Sequence, residues 1–193
     1  MPPRRSTLLI LALLVAAIII ARLVPVSSQP TAAAPSTGPV VAGPGLVVEV
    51  LDGDTVRIQM AGYEGPVRIV GIDTPEIEHP GRPAGCFGTQ AADATRAWLL
   101  DRVVDVQPAI EQRDRYERLL ARIVPRDGPI AGRDLSRTLA LSGFARELAI
   151  APNTDDAPAI AQQVAIAQRE ARGLWAACGF AAAFPGKEPA GGK

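Results

Sequence analysis

The sequence has few of the residues from which zinc sites and broad basic surfaces are built. Its only cysteines are Cys86 and Cys178, it has one histidine, and it contains no CxxC motif, so a zinc site is not expected. Residues 46–180 contain no lysine, and 15 arginines stand against 19 aspartates and glutamates, which gives a net charge of −4. Such a surface does not hold duplex nucleic acid by counterion release. Attraction to a polyanion would have to be local, through arginine and a bound cation.

Charge is also absent from a stretch near the N-terminus. Residues Leu8–Ala21 form an apolar run of 14 residues, which two arginines precede and Arg22 follows. The positive flank predicts that this end stays in the cytoplasm and that the remainder is exported. Fourteen apolar residues fit a cleaved signal peptide, whereas a spanning helix needs about 20, which continuation to Val26 would supply. We therefore expect residues 1–26 to be a hydrophobic anchor helix or, as the alternative, a removed signal peptide.

Two low-complexity segments lie on either side of the part of the chain that is expected to fold. Residues 27–45 are uncharged and rich in Pro, Ala, Ser, Thr and Gly, and we predict a disordered linker there. Residues 181–193 are similar in composition, with two lysines, and are predicted to form a flexible tail. The folded domain is expected over residues 46–180.

Alternating apolar residues and turn signals predict five short strands and three helices in this domain. The predicted strands cover about residues 46–51, 55–60, 67–72, 103–106 and 118–124, and the predicted helices about residues 89–100, 133–142 and 156–173. The Asp52-Gly53 pair between the first two strands favours a hairpin. We therefore predict a mainly β, α+β fold, a five-stranded OB-type β-barrel with helices packed against it, although an open α+β sheet fits the same periodicity.

The stretch VRIVGIDTPE, residues 67–76, places charged groups at the exit of a buried strand. Arg68 lies inside the apolar run, where a charge is costly unless an anionic group meets it. Asp73 and Glu76 follow at the exit, and Pro75 makes that corner stiff. An internal salt bridge and a ligand site explain this stretch equally well.

Three segments resemble the signature blocks of the staphylococcal nuclease family. They are VLDGDTVRI at residues 50–58, RIVGIDTPE at residues 68–76 and DRYERLLA at residues 114–121. The dipeptide His79-Pro80 and the tripeptide at residues 173–175 also match, so that the resemblance covers about residues 46–175 in the family's order. It implies an OB-barrel endonuclease that binds Ca²⁺ and hydrolyses the phosphodiester bonds of DNA and RNA, leaving 3′-phosphate ends.

The same resemblance implies a metal site. It assigns Ca²⁺ to Asp54, to Asp73 and to the backbone carbonyl of Thr74. Carboxylate and carbonyl oxygens are the ligands that this hard cation prefers, and the two aspartates lie at the ends of adjacent predicted strands. Taken alone, Asp54 is better explained as a residue of the turn that Asp52-Gly53 begins.

Catalytic and substrate contacts are implied as well. The resemblance assigns the scissile phosphate to Arg68 and Arg118, the attacking water to Glu76 and the nucleotide to Tyr116. Guanidinium groups stabilise the charge that builds on a phosphodiester under attack, and a carboxylate on a stiff corner can position a water. The alternative for Arg118 is a solvated cluster in which it pairs with Glu117, Asp114 or Glu111.

Two departures from the family pattern leave a second function open. Glu117 stands where the family usually has glycine, and residues 144–153 lack the tyrosines that help to hold the nucleotide, so that Arg82 is a candidate to replace them. A catalytically weak or silent OB module that binds nucleic acid or a protein partner is therefore the alternative to an enzyme.

The predicted export has consequences for the oxidation state of the two cysteines and for where the protein is located. Because disulfides persist in oxidising compartments, we favour a bond between Cys86 and Cys178. The expected protein is membrane-anchored with its catalytic domain outside the cytoplasm, or secreted if the N-terminal segment is cleaved. Nucleic acid is the expected substrate, the membrane is contacted through the N-terminal segment, and no protein partner is implied.

Overall fold

The computed structural model describes residues 38–81 and 83–187, which form seven strands, five of them in a closed barrel. The strands are β1 (Gly43–Val50), β2 (Thr55–Met60), β3 (Tyr63–Ile69), β4 (Gly71–Asp73), β5 (Val103–Arg113), β6 (Leu119–Pro125) and β7 (Arg146–Leu148). Around the barrel the order is β1-β2-β3-β6-β5, and β1 closes it by antiparallel pairing with β5. Only β3 and β6 run parallel among these barrel pairs. The predicted five-stranded barrel is confirmed.

The barrel core follows from the alternation of side chains along each strand. Alternate residues of β2, β3 and β6 point inward, and those at the centre of the barrel have no exposed surface: Val56, Ile58, Val67, Ile69, Leu119, Ala121 and Ile123. Most of them are β-branched residues that fit a pleated, buried surface. Their burial is the main stabilising contribution of the barrel.

The strand predicted over residues 67–72 is divided in two. The barrel strand β3 ends at Ile69, and the chain turns away at Gly71, whose φ of +84° is readily adopted only by glycine. A Cβ atom at Gly71 would also collide with the side chain of Ile160. Beyond this turn, β4 pairs with β7 in a separate two-stranded sheet, in which Asp73 lies opposite Arg146.

The described residues form five helices, of which the three longest correspond to the predicted ones. They are α1 (Gly88–Leu99), α2 (Leu135–Leu141), α3 (Ala157–Arg169), α4 (Leu174–Ala177) and α5 (Phe180–Ala183). Helix α2 begins after Asp134, whose side chain accepts a hydrogen bond from the backbone N–H of Arg137. No helix in this part of the chain has the length and apolar character needed to cross a membrane. The apolar run at residues 8–21 lies outside the described residues.

Both predicted boundaries of the domain are too narrow. Val40 is already buried and β1 begins at Gly43, inside the segment predicted as linker. At the other end, Phe184 is buried in the segment predicted as tail, and Cys178 is joined to Cys86 by a disulfide, the pairing that the sequence favoured. Isolated apolar residues among Pro, Ala and Gly have no periodicity, so the sequence does not reveal that they pack. The remainder of the linker, residues 27–37, lies outside the described part.

Candidate active site

Asp54 lies in the turn between β1 and β2 and is almost completely buried. The side chain of Asp52 holds this turn by accepting a hydrogen bond from the Asp54 backbone N–H (2.9 Å). One carboxylate oxygen of Asp54 accepts hydrogen bonds from the backbone N–H and the hydroxyl of Thr74, at 2.7 and 3.1 Å. The other accepts one from the Thr55 hydroxyl (3.3 Å). Because Thr74 follows β4, Asp54 joins the hairpin turn to the end of the small sheet.

Arg68, on β3, lies between the two aspartates. Its guanidinium pairs with Asp54 through Nη1 and with Asp73 through Nη2, the latter at 3.4 Å, and it donates a hydrogen bond to the Ile72 carbonyl (3.1 Å). Burial lowers the pKa of Arg68, and the neighbouring carboxylates of Asp73 and Asp52 oppose that effect. The guanidinium of Arg68, which was predicted to need an anionic partner, therefore has two, Asp54 and Asp73. Their negative charges offset the free-energy cost of removing the guanidinium from water.

Asp73 receives two further cations that the sequence did not reveal. Nε of Arg146, its pairing partner on β7, lies 2.8 Å from Oδ2. Nζ of Lys187 lies 3.1 and 2.9 Å from Oδ1 and Oδ2. Burial acts to raise the pKa of Asp73, but the hydrogen bonds from Lys187 and Arg146 outweigh it, and the pKa is lowered. Asp73 is therefore held as a carboxylate.

Glu76 occupies the corner after Pro75, and its side chain is 34% exposed. Its backbone carbonyl accepts a hydrogen bond from the N–H of Gly85 (2.9 Å), which fixes the corner against the following loop. Nζ of Lys187 lies 3.6 Å from Oε1. The carboxylate is both positioned and accessible to water, which a general base requires.

Arg118 is presented by the turn between β5 and β6. One oxygen of Asp114 accepts hydrogen bonds from the backbone N–H groups of Tyr116 and Arg118, at 2.9 and 3.0 Å. The other accepts one from Nε of Arg118 (2.7 Å), while Nη1 of Arg118 donates to the hydroxyl of Thr55 (3.4 Å). Burial would raise the pKa of Asp114, but these hydrogen bonds lower it. Through Thr55, the turn places a second guanidinium next to Asp54.

A cavity of about 700 Å³ opens beside the two arginines. Its lining includes Arg68, Arg113, Arg115, Tyr116, Arg118, Leu148 and Ile150. Tyr116 is 64% exposed at this cavity, with the guanidinium groups of Arg115 and Arg118 at 4.7 and 5.5 Å from its ring centre. The cavity is cationic and has an aromatic face, and it is large enough for a nucleotide. Arg82, the other predicted nucleotide contact, lies outside the described residues.

The backbone conformation of Glu117 explains why the family usually has glycine at this position. Its φ is +62°, in the left-handed region that glycine adopts at little cost. Its side chain is exposed, and the Arg118 guanidinium pairs with Asp114. In this arrangement the Glu117 side chain therefore does not occupy the guanidinium of Arg118.

The structure brings the predicted metal and catalytic residues together at one end of the barrel. Arg68 joins Asp54 to Asp73, Lys187 joins Asp73 to Glu76, and Thr55 joins Arg118 to Asp54. Sequence reasoning missed Arg146 and Lys187. The one available signal for Arg146 was a pair of charged residues, Arg146 and Glu147, in an otherwise apolar segment, and Lys187 had none.

The donor atoms at this end fit a hard divalent cation. Asp54 and Asp73 both reach one guanidinium, so a single ion between them could contact both carboxylates. Within residues 38–81 and 83–187, no group of three or more acidic, His or Cys side chains is placed to hold a metal ion. Backbone carbonyls and waters would have to complete the coordination, as Ca²⁺ and Mg²⁺ sites allow and as the predicted role of the Thr74 carbonyl requires.

Comparison of the sequence with known proteins identifies a family model and several relatives that this chain resembles. The family model described as staphylococcal nuclease homologue matches residues 66–177. The thermonuclease of Staphylococcus hyicus is 31% identical over 130 residues, which cover 67% of this chain and 73% of the relative. The thermonuclease of Staphylococcus intermedius is 32% identical over 130 residues, covering 67% and 74%. An uncharacterized endonuclease of Escherichia coli is 30% identical over 131 residues, covering 68% and 76%.

Proposed function

Because this chain belongs to the staphylococcal nuclease family, we propose that it is a Ca²⁺-dependent nuclease that acts on both DNA and RNA. Membership of this family indicates that the chain is a hydrolase of nucleic acids. It therefore favours an enzyme over the alternative of a catalytically silent binding module. The ion, the range of substrates and the products are our proposal. The observation that supports it most directly is that Arg68, on β3, and Arg118, in the turn between β5 and β6, both lie beside the buried carboxylate of Asp54.

The two arginines are suited to hold the scissile phosphate. Each guanidinium is oriented by a carboxylate, Arg118 by Asp114 and Arg68 by Asp54, and both line the cavity. Two planar cations at fixed positions stabilise the negative charge that grows on the phosphate oxygens during attack. Since the groups are oriented before substrate binds, little reorganisation is needed when that charge develops.

Asp54, Asp73 and the Thr74 carbonyl would hold the divalent ion, and Glu76 would act on the attacking water. A bound cation supplies charge neutralisation and makes a nearby water more acidic. Glu76 is rigidly placed by Pro75 yet accessible to solvent, so it can accept a proton from the water that attacks phosphorus. Cleavage of the bond to the 5′ oxygen would leave a 3′-phosphate and a 5′-hydroxyl.

Use of both DNA and RNA is supported by the kind of groups that line the cavity. Arg68, Arg113, Arg115 and Arg118 present charge suited to phosphates, and Tyr116 offers a ring on which any base can stack. Neither contact depends on the 2′-hydroxyl, by which a protein tells RNA from DNA. Single-stranded chains, whose bases are free to stack, are the expected substrates.

The proposal is tested with the full chain in mild detergent and fluorescent oligonucleotides of the same sequence in DNA and RNA. We expect both to be cut with added Ca²⁺ and neither to be cut in excess chelator, with 3′-phosphate ends identified by mass spectrometry. Undiminished cleavage in chelator would contradict the role of the ion. Products with 5′-phosphate ends would contradict the direction of attack.

We propose further that the nuclease acts outside the cytoplasm, tethered by residues 1–26 or released if they are cleaved. The positively flanked apolar run and the disulfide Cys86–Cys178 support this, because disulfides persist in oxidising compartments. In intact cells, an epitope placed after residue 193 should be digested by added protease. Full protection of the epitope, with digestion only after lysis, would contradict export.

A further inference from the structure

The segment Phe180–Lys187, here called the C-terminal strap, is fastened to the loop that follows Glu76. The disulfide between Cys178 and Cys86 lies just before it, and the backbone N–H of Cys86 donates a hydrogen bond to the carbonyl of Ala182 (2.9 Å). A Cβ atom at Gly85 would lie 2.5 Å from the Ala183 carbonyl oxygen, so glycine permits this close approach.

Aromatic packing fixes the same strap over the small β4–β7 sheet. Phe184 is buried against Leu174, and its ring centre lies 5.1 Å from that of Phe180. The Arg146 guanidinium lies over both rings, at 5.6 Å from Phe180 and 5.1 Å from Phe184. Since Arg146 also pairs with Asp73, the strap and the active site share a residue.

This placement brings Lys187 to the carboxylates of the site. Its Nζ lies within hydrogen-bonding distance of both oxygens of Asp73 and 3.6 Å from Glu76. Asp73 thus receives three cations, from Arg68, Arg146 and Lys187. The three positive charges therefore balance the negative charges of three carboxylates, Asp54, Asp73 and Glu76, and the net charge of the cluster is close to zero.

A divalent ion at Asp54 and Asp73 would add two positive charges to this cluster, so the displacement of a cation would relieve the repulsion. Lys187 is the one best able to leave. Its side chain is 34% exposed, against 15% for Arg68 and 12% for Arg146. Its ammonium group is carried on a flexible stem and is strongly hydrated in water, whereas the two guanidinium groups are fixed by several contacts.

We propose that Lys187 is an internal competitor of the divalent cation for Asp73, and that metal binding moves its ammonium group out into solvent. The proposal rests on the proposed function, in that it takes Asp73 as a metal ligand. The consequence is a metal affinity set partly by the C-terminal strap, so that removal of this one charge strengthens binding.

The first test measures Ca²⁺ binding by titration calorimetry on the metal-free full chain. We expect Lys187→Ala to lower the Kd for Ca²⁺ about tenfold, since a hydrogen bond to a charged group contributes about 1.5 kcal/mol or more. Lys187→Arg, which keeps the charge, should stay within about twofold of the wild type. Lys193→Ala removes the chain's other lysine charge and is the matched control, with no expected change.

A second test observes the side chain itself. The chain contains only two lysines, so selective ¹³C labelling of lysine gives two ε-CH₂ signals, which Lys193→Ala assigns. Addition of Ca²⁺ should move the Lys187 signal to the position of a solvated lysine and leave the other in place. An unmoved Lys187 signal under conditions where calorimetry shows binding would overturn the proposal.

The outcomes separate this proposal from the assignment of the metal site. Ca²⁺ binding of equal strength in the wild type and in Lys187→Ala would overturn the competition while leaving the metal site standing. Absence of binding in both would overturn the metal site, and the competition with it. Binding that Asp73→Asn does not weaken would overturn the choice of Asp73 as the shared ligand.

Discussion

The two sides of the candidate active site are built in different ways. The carboxylate cluster, defined here as Asp54, Asp73 and Glu76, lies around the paired strands β4 and β7, and its two aspartates are nearly inaccessible to water. The arginine turn, residues 114–118, lies at the cavity, where Tyr116 is mostly exposed. The first side is fixed by folding, and the second remains open to a polymeric substrate.

The two sides differ in how their charged groups are stabilised. A buried carboxylate is stable only while cations or hydrogen-bond donors remain in place, and loss of one partner leaves an uncompensated charge. A charge on an exposed turn is solvated, and its pairing contributes little to stability. We therefore expect substitution of either buried aspartate to cost more stability than substitution in the arginine turn, whereas both sides are needed for activity.

The largest expected effect comes from removing charge at Asp73. In Asp73→Asn, Arg68, Arg146 and Lys187 lose their shared anion, and we expect the free energy of unfolding to fall by about 3–5 kcal/mol. Urea denaturation of the full chain measures this. The matched control is Asp105→Asn, which breaks the exposed pair with Arg126 and should change stability little. Equal losses in the two variants would contradict the high cost assigned to a buried carboxylate.

The next largest effect concerns activity. Arg118→Ala should lower kcat by about 10²–10³-fold, because it removes one of two oriented cations from the developing phosphate charge. Its unfolding midpoint should change little, since the side chain is partly exposed and pairs at the surface. Arg118→Lys tests the two-point contact, and we expect it to recover only part of the rate. Wild-type kcat in Arg118→Ala would contradict the assigned role.

The sequence predicted the barrel because its strands have local signatures, whereas the site residues were assigned through the resemblance of three short blocks to a known family. Alternating β-branched residues identify strands such as β2, and the blocks around Asp54, Arg68, Asp73 and Arg118 each lie within a few residues of a strand end. Strand ends and corners follow from short-range rules on alternation, turns and proline, but the roles of these four residues were implied by the family resemblance.

The contacts that were missed depend on long-range pairing. Arg146 reaches Asp73 only because β7 pairs with β4, 73 residues apart in the chain. Lys187 reaches it only because the strap is fastened through Cys86 and buried Phe184. A three-residue strand and a single aromatic in a Pro- and Gly-rich segment carry no periodic signal, so composition alone indicated a free tail.

A smaller effect is expected at Asp114, where pH separates a charged from a neutral side chain. Asp114→Ala removes three hydrogen bonds that hold the arginine turn and should cost about 1–2 kcal/mol at pH 7. The pKa of Asp114 is lowered from its ordinary value of 3.8, so its contribution is complete above that value and is lost as the pH falls through the folded-state pKa. The difference between wild type and variant should therefore shrink below about pH 4. A difference that grows on acidification would contradict this sign.

The smallest expected effect tests whether the arginine turn is strained. Glu117 has a φ of +62°, so Glu117→Gly should raise the free energy of unfolding by about 1 kcal/mol, because glycine adopts this conformation without the steric cost of a Cβ atom. Glu117→Ala removes the same charge and keeps the Cβ, so it should leave stability nearly unchanged. Urea denaturation compares the two variants. An equal gain in both would assign the cost to the charge, and the arginine turn would then be limited by electrostatics, like the carboxylate cluster.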